Sequence, residues 1–340
     1  MEILVVAPNL KRRLSGVTAT IARLVPVQAR QIGIVATGPG LPAGVPHIPL
    51  RRAATLPRDR WRVWHARRNT EMLLGLILVY GLRRRYRLLF TSASQRRHTG
   101  WTKWLIGRMD RVVATSAKGA AYLEREAEVI LHGIDTETFA PPADRAALRV
   151  RLGLPQGVLV GCYGRIRSSK GTDNFVTAMI DLLPTRGDVT AVVMGRAVDK
   201  DQPFLADLKA RVAAAGLGGR ILFLPEVTVD RMPDWYGALD LYVAPQRWEG
   251  FGLTPLEAMA CGVPVVATRV GAFEELLSAD SGRLVPPDDV PALTAALVPL
   301  LDGPALRAGM ARAARQRVDS AFRIEDEAEA LIALYRRMLA

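Results

Sequence analysis

Short runs rich in valine and isoleucine alternate with longer stretches of helical period along the whole chain. That alternation is the pattern of βα units wound around a parallel sheet. In the first half the strand candidates are Glu2–Ala7, Gln31–Ala36, Arg87–Thr91, Arg111–Ala114 and Glu128–Leu131. Helical stretches lie around Ala19–Gln28, Arg67–Leu82, Thr102–Met109 and Ala117–Glu126. From Thr136 to Gln156 the chain turns polar and proline-bearing, which marks a linker. The alternation then restarts with Val158–Tyr163, Val189–Met194, Arg220–Phe223, Leu241–Ala244, Val263–Ala267 and Arg283–Val285. Two doubly wound, Rossmann-like α/β domains are expected, facing each other across a cleft, because ligands of such sheets bind outside the carboxyl ends of the strands. The expected boundaries are 1–140 for the first domain, 141–156 for the linker, 157–322 for the second domain and 323–340 for a closing helix.

Length and composition agree: 340 residues with 49% apolar content suffice for two cores. The longest strongly apolar run, Met72–Leu82, is too short for the roughly 20 residues of a membrane-spanning helix. An acid at position 2 and Pro8-Asn9 soon after do not suit a signal peptide. Cys162 and Cys261 form neither a metal-binding pair nor a disulfide framework, so a cytosolic setting is expected.

The net charge of +13 is not shared between the halves. Residues 1–150 carry 25 Lys+Arg against 10 Asp+Glu, whereas residues 151–340 carry 21 against 23. A field so localised attracts polyanions: nucleic acid, an anionic membrane surface, or an acidic carbohydrate or lipid. The basic residues cluster at Arg51-Arg52, Arg58 to Trp64, Arg67-Arg68, Arg83 to Arg85 and Arg96-Arg97, with tryptophans interleaved as suits a bilayer interface. The plainer alternative is a solvated basic face with half-buried tryptophans, among which His47 and His65 are read as loop or surface residues.

The densest motif is Glu249-Gly250-Phe251-Gly252-Leu253-Thr254-Pro255-Leu256-Glu257, followed by Gly262-Val263-Pro264-Val265. It reads as loop, helix, turn and strand. Thr254 is expected as the N-cap, Pro255 in the first helical position and Glu257 three residues past the cap, which together make a capping box. The same helix start would turn the amides around Gly252–Thr254 toward an anion such as a diphosphate. Glu249 has no capping role and would be free to accept hydrogen bonds from sugar hydroxyls. Upstream, Gly164-Arg165 and Lys170-Gly171 follow the first strand of the second domain. Two cations at that strand end would neutralise charge on a departing diphosphate; alone, they are equally well ordinary surface cations. In the first domain Ser15-Gly16-Val17-Thr18 opens a helix, with a glycine that permits close approach of a phosphate.

Together, the E-x7-E element of Glu249 and Glu257, the Gly164-Arg165 and Lys170-Gly171 pairs, and the Gly262–Val265 turn resemble family 4 retaining glycosyltransferases of the GT-B fold. The stretches Pro8–Thr18 and Thr91–Gly100 further resemble bacterial lipopolysaccharide core mannosyltransferases. The resemblance implies that Glu249 binds the hydroxyls of the donor sugar and Glu257 the nucleotide ribose. It implies that Arg165 and Lys170 bind the diphosphate, helped by amides at Gly16, Phe251, Gly252 and Leu253. His98 is the candidate for catalysis or acceptor positioning near the reacting carbon. His132 stands where the family has asparagine, so a local structural role is as open as a catalytic one. A covalent route through Glu249 also stays open.

The reaction implied is transfer of a hexose, mannose from GDP-mannose, to an acidic lipid-linked core oligosaccharide, with the enzyme at the inner face of the membrane. No cofactor or metal is expected; Asp199-Lys200-Asp201 is read as a solvated loop. The alternatives are a UDP-sugar donor or a glycolipid acceptor, an epimerase, and a basic nucleic-acid-binding module, for which no zinc-finger or RNP pattern speaks.

Overall fold

A computed structural model describes residues 2–12 and 16–340. The chain divides into two compact units: Met1–Gly133 together with Ile324–Ala340, and Ile134–Arg323. The first carries a seven-stranded, wholly parallel sheet: β1 (Val5–Pro8), β2 (Ile34–Thr37), β3 (His47–Ile48), β4 (Arg62–Ala66), β5 (Tyr86–Ser92), β6 (Arg111–Ala114) and β7 (Glu128–Val129). Its order is β3-β2-β1-β4-β5-β6-β7. The second carries β8 (Val158–Tyr163), β9 (Val189–Met194), β10 (Ile221–Leu224), β11 (Leu241–Ala244), β12 (Val265–Thr268) and β13 (Gly282–Val285) in the order β10-β9-β8-β11-β12-β13. Both follow the doubly wound order 3-2-1-4-5-6, the first with one extra strand. In each, strand order reverses between two adjacent strands, β1/β4 and β8/β11.

In the first unit, helix α1 (Gly16–Gln28) and the C-terminal helix Ile324–Leu339 cover one face. Ile21, Leu24 and Val25 of α1 share a buried cluster with Leu331, Ile332 and Tyr335. On the other face α2 (Asn69–Leu76), prolonged by a π turn at Ile77–Gly81, lies beside α3 (Gly100–Gly107). Met72, Leu76, Leu105 and Ile106 enter the cluster below them. The closing helix at the C-terminus thus belongs to the first unit's core.

Two sequence expectations change here. The stretch 141–156 is not a free connector: helix Arg145–Leu152, capped by Asp144, is stitched to the second unit by Arg149, which donates to the Ala238 carbonyl (2.8 Å) and to Asp240 (2.6 Å). The division falls at 133/134 and 323/324 instead. The basic Arg58–Trp64 segment with His65 is surface only in its first part, where Arg58 and Trp61 are exposed; from Arg62 on it forms the central strand β4. Trp64 and His65 are fully buried, and Arg62 is buried with its guanidinium donating to the carbonyls of Ile3 (3.1 Å) and Pro57 (2.6 Å) and to Asp59 (3.0 Å). A buried charge persists only when hydrogen-bonded and paired in this way.

Candidate active site

The residues singled out in the second unit gather at the carboxyl ends of β8 and β11, where strand order reverses. These strands are parallel neighbours, with Leu241 opposite Val160 and Tyr242 opposite Gly161. The loop after β8 runs through Arg165 and a 3-10 turn at Ser168–Lys170 into α4 (Thr172–Leu182). The loop after β11 runs from Pro245 through Glu249 into α5 (Leu253–Ala260). Gly171, at φ +67°, lets the first loop cross the second: a Cβ there would lie 1.8 Å from the Pro245 carbonyl oxygen.

Arg247 laces the two loops together. Its amide donates to the Ser169 carbonyl (3.1 Å). Its guanidinium forks onto both carboxylate oxygens of Asp173 (2.7 and 2.9 Å) and also reaches Asn174 (3.0 Å) and Asp288 (2.8 Å). The Asp173 carboxylate raises the Arg247 pKa above its ordinary value, and Arg247 in turn holds the Asp288 carboxyl below its own. A bidentate arginine fixes geometry as well as charge. No motif pointed to Arg247 or Asp173; the only cue is position, one residue before Trp248-Glu249 and one inside the next helix.

On this brace Lys170 meets Glu249. The ammonium donates to Oε2 of Glu249, while Oε1 accepts the amide of Gly250 (3.0 Å). The two side chains are 22% and 17% exposed, so the pair is shielded yet reachable from solvent. Arg165 stands exposed in the loop after β8.

The capping box does not form. Gly252, at φ +93°, occupies the N-cap with no side-chain cap bond, which puts Thr254 in the second helical position. A Cβ on Gly252 would lie 2.1 Å from the Phe273 ring and 3.0 Å from Glu249 Cγ. Packing of the turn against Phe273, with the Ala272 amide donating to the Phe251 carbonyl (3.1 Å), therefore overrides the local capping signal. The consequence is chemical: the amides of Leu253 and Thr254 have no intrahelical acceptor, and the positive end of α5 lies beside Glu249.

Glu257 is half-buried a turn further on, its Oε2 accepting from the Tyr236 hydroxyl (2.9 Å). Tyr236 packs with Tyr163 and Tyr242 at ring distances of 5.3 and 5.4 Å. Burial pushes all three phenols up, so the Tyr236 hydroxyl stays a donor to Glu257.

Gly16 and His98 belong to the first unit. Gly16 opens α1 with open space around its Cα; Ser15 lies outside the described residues. His98 is half-buried in the loop after β5. Burial, then the neighbouring Arg96, lowers its pKa, so the ring is neutral near pH 7. Its Nε2 is shielded and finds no partner among the described residues. The other histidines are bound up in structure. His65 lies between the Tyr335 hydroxyl (2.7 Å) and Thr91 (2.6 Å), and His132 is held by Glu327 (2.8 Å), which also takes the Gly133 amide (2.9 Å). His47 bonds the Gly38 carbonyl (2.9 Å).

The first unit has its own polar cluster between the ends of β1 and β4, which sequence reasoning missed. Arg68 donates to Asn9 (2.9 Å), Glu71 (2.7 Å) and Thr18 (3.1 Å), and Thr18 donates to Asn9 (3.0 Å). Glu71 also accepts the Arg67 amide (2.8 Å). Among the described residues no three His, Cys, Asp or Glu side chains converge as metal ligands, and Asp199–Asp201 form a 3-10 turn.

Residues 144–317, more than half the chain, match the family model of glycosyl transferases group 1. The chain belongs to that family. It is 53% identical to the lipopolysaccharide core biosynthesis mannosyltransferase LpsB of Rhizobium meliloti (strain 1021), over 99% of this chain and 98% of that one. It is 49% identical to the corresponding mannosyltransferase LpcC of Rhizobium leguminosarum bv. viciae, over 99% and 97%. Among solved structures, Anabaena Alr3699/HepE in complex with UDP superimposes with a TM-score of 0.85 at 20% identity, covering 98% of this chain and all of that one. The protein is a glycosyltransferase of the GT-B fold.

Proposed function

We propose that the enzyme transfers mannose from GDP-mannose, with retention of anomeric configuration, to a hydroxyl of an acidic, lipid-linked lipopolysaccharide core oligosaccharide at the cytoplasmic face of the membrane. The observation that carries this reading is the Lys170–Glu249 pair beside the uncapped start of α5, at the point where strand order reverses. The names of the two rhizobial relatives support the sugar and the acceptor class.

In this mechanism the donor diphosphate lies at the α5 amides, with Arg165 and Lys170 as its cations. Glu249 accepts hydrogen bonds from the sugar hydroxyls while held in place by Lys170. Glu257, steadied by Tyr236, takes the ribose. As the glycosidic bond lengthens, positive charge grows on the anomeric carbon and negative charge on the diphosphate. Fixed cations and helix amides stabilise the second without reorganising, and no metal is expected to take part. The acceptor proton passes to the departing phosphate, and His98, a half-buried neutral imidazole, orients the acceptor.

Titration calorimetry with GDP, UDP, ADP and their sugar conjugates tests the donor. Preference for GDP-mannose is the expected result. A preference for UDP conjugates keeps the transferase and removes the mannose assignment; silence from every nucleotide in a folded sample removes the donor site.

A further inference from the structure

Large apolar side chains are exposed unevenly. Leu73, Ile77 and Tyr80 follow at helical spacing along α2 and its π turn, Tyr80 being 70% exposed, and Leu82 comes next. On α3, Trp101 and Trp104 are 52% and 44% exposed and stack on each other at 5.1 Å and 11° instead of entering the core. The helices lie side by side on one face of the sheet, tied by a bond from Asn69 to Thr102 (2.7 Å), so their outer faces adjoin. Six exposed large hydrophobics thus fall within residues 73–104, against four in the whole second unit. A contiguous apolar face of this kind marks an interaction surface.

Its charge selects the partner. From Met72 to Met109 the sequence has eight Lys and Arg and not one Asp or Glu. Arg108 lays its guanidinium over the Trp104 ring at 4.3 Å, joining cation and aromatic in one surface element. Stacked indoles, a tyrosine and aliphatic side chains bordered mainly by cations, with Glu124 as a carboxylate paired to Lys103 of α3 (2.6 Å), match the boundary between acyl chains and anionic headgroups.

We propose that the outer face of α2, its π turn and α3 docks on an anionic phospholipid bilayer, with Trp101, Trp104 and Tyr80 inserted at headgroup depth. This deepens the reading of a membrane-presented acceptor and rests on it for its purpose. The surface itself does not depend on which sugar is moved.

Flotation of the full chain with phosphatidylcholine vesicles, with and without phosphatidylglycerol, is the test. Binding is expected only to the anionic vesicles and is lost at high salt. Trp101→Ala with Trp104→Ala should lower the bound fraction about tenfold, with an unchanged melting transition and unchanged turnover on a detergent-dispersed acceptor. Should the tryptophan variant not fold, Arg108→Glu with Tyr80→Ser serves the same purpose from the exposed surface. Equal binding by variant and parent overturns the proposal, as does indifference to phosphatidylglycerol. A concentration-dependent dimer that the variant dissociates overturns it in favour of a second copy on this face. In each of these failures, turnover measured in detergent still reports separately on the transferase reading.

Discussion

The two units share one strand order but treat the crevice at its reversal in opposite ways. Between β8 and β11 the chain leaves Lys170 and Glu249 partly exposed beside helix amides with no intrahelical acceptor. Between β1 and β4 the same position is filled by side chains bonded to one another: Arg68 is 11% exposed and Glu71 not at all. Topology therefore supplies the crevice, and side-chain chemistry decides whether a ligand can use it. In the second unit the bracing comes from Arg247, one layer behind the ligand-facing pair. In the first, the braced groups are the ones that would otherwise meet a ligand.

The sharpest way to break this contrast is to exchange its consequences. Glu71→Ala strands the buried Arg68 guanidinium and should cost about 3–5 kcal/mol in denaturant unfolding; a loss below ~1 kcal/mol would show that the crevice is not closed by this network. Glu249→Ala and Lys170→Ala should instead lower turnover about 10²–10³-fold with the unfolding transition preserved. Near-normal turnover would take that residue out of the mechanism.

Acid should act on the first unit. Burial holds His65 well below its ordinary pKa, and Arg67 adds to the effect. The unfolded chain therefore takes up this proton first, near pH 6.5, and stability, level above that pH, falls by about 1.4 kcal/mol per unit as the pH drops below it. Melting curves of the parent and of His65→Asn between pH 7 and 5 check this, since the variant should lose that part of the slope. Smallest is Glu257→Gln: with no capping box to lose, it should weaken nucleotide binding about fivefold while leaving the melting temperature nearly unchanged. A clear drop in stability would show that its bond from Tyr236 holds the fold and not only the site.

Strands covered on both faces were legible from sequence: Val158–Tyr163, Val189–Met194, Leu241–Ala244 and Arg111–Ala114 stand where their apolar runs place them. β4 was not, because Arg62 and His65 look like surface until Ile3, Thr91 and Tyr335 arrive from elsewhere in the chain, and the nearby partners Pro57, Asp59 and Glu71 carry no local pattern that marks Arg62 and Trp64 as buried. The glycine-rich motif was read correctly as a loop leading into a helix. Its cap was not, because the Gly252 backbone is set by Phe273, twenty-one residues on. Lys170, Glu249 and Glu257 stood out by residue type and spacing, whereas the Arg247 brace is invisible to any local pattern.

The helix Ile324–Leu339 returns to the first unit after the second is complete, so the first unit is built from two separate stretches of chain and the second, residues 134–323, from one. Leu331, Ile332 and Tyr335 reach the cluster under α1 only by closing a loop that contains the whole second unit, and with Tyr335 comes the hydroxyl that meets His65 inside β4. The entropy of closing a loop grows only slowly with its length, so this long return adds little cost to the first unit's stability and weighs instead on how fast its core is completed.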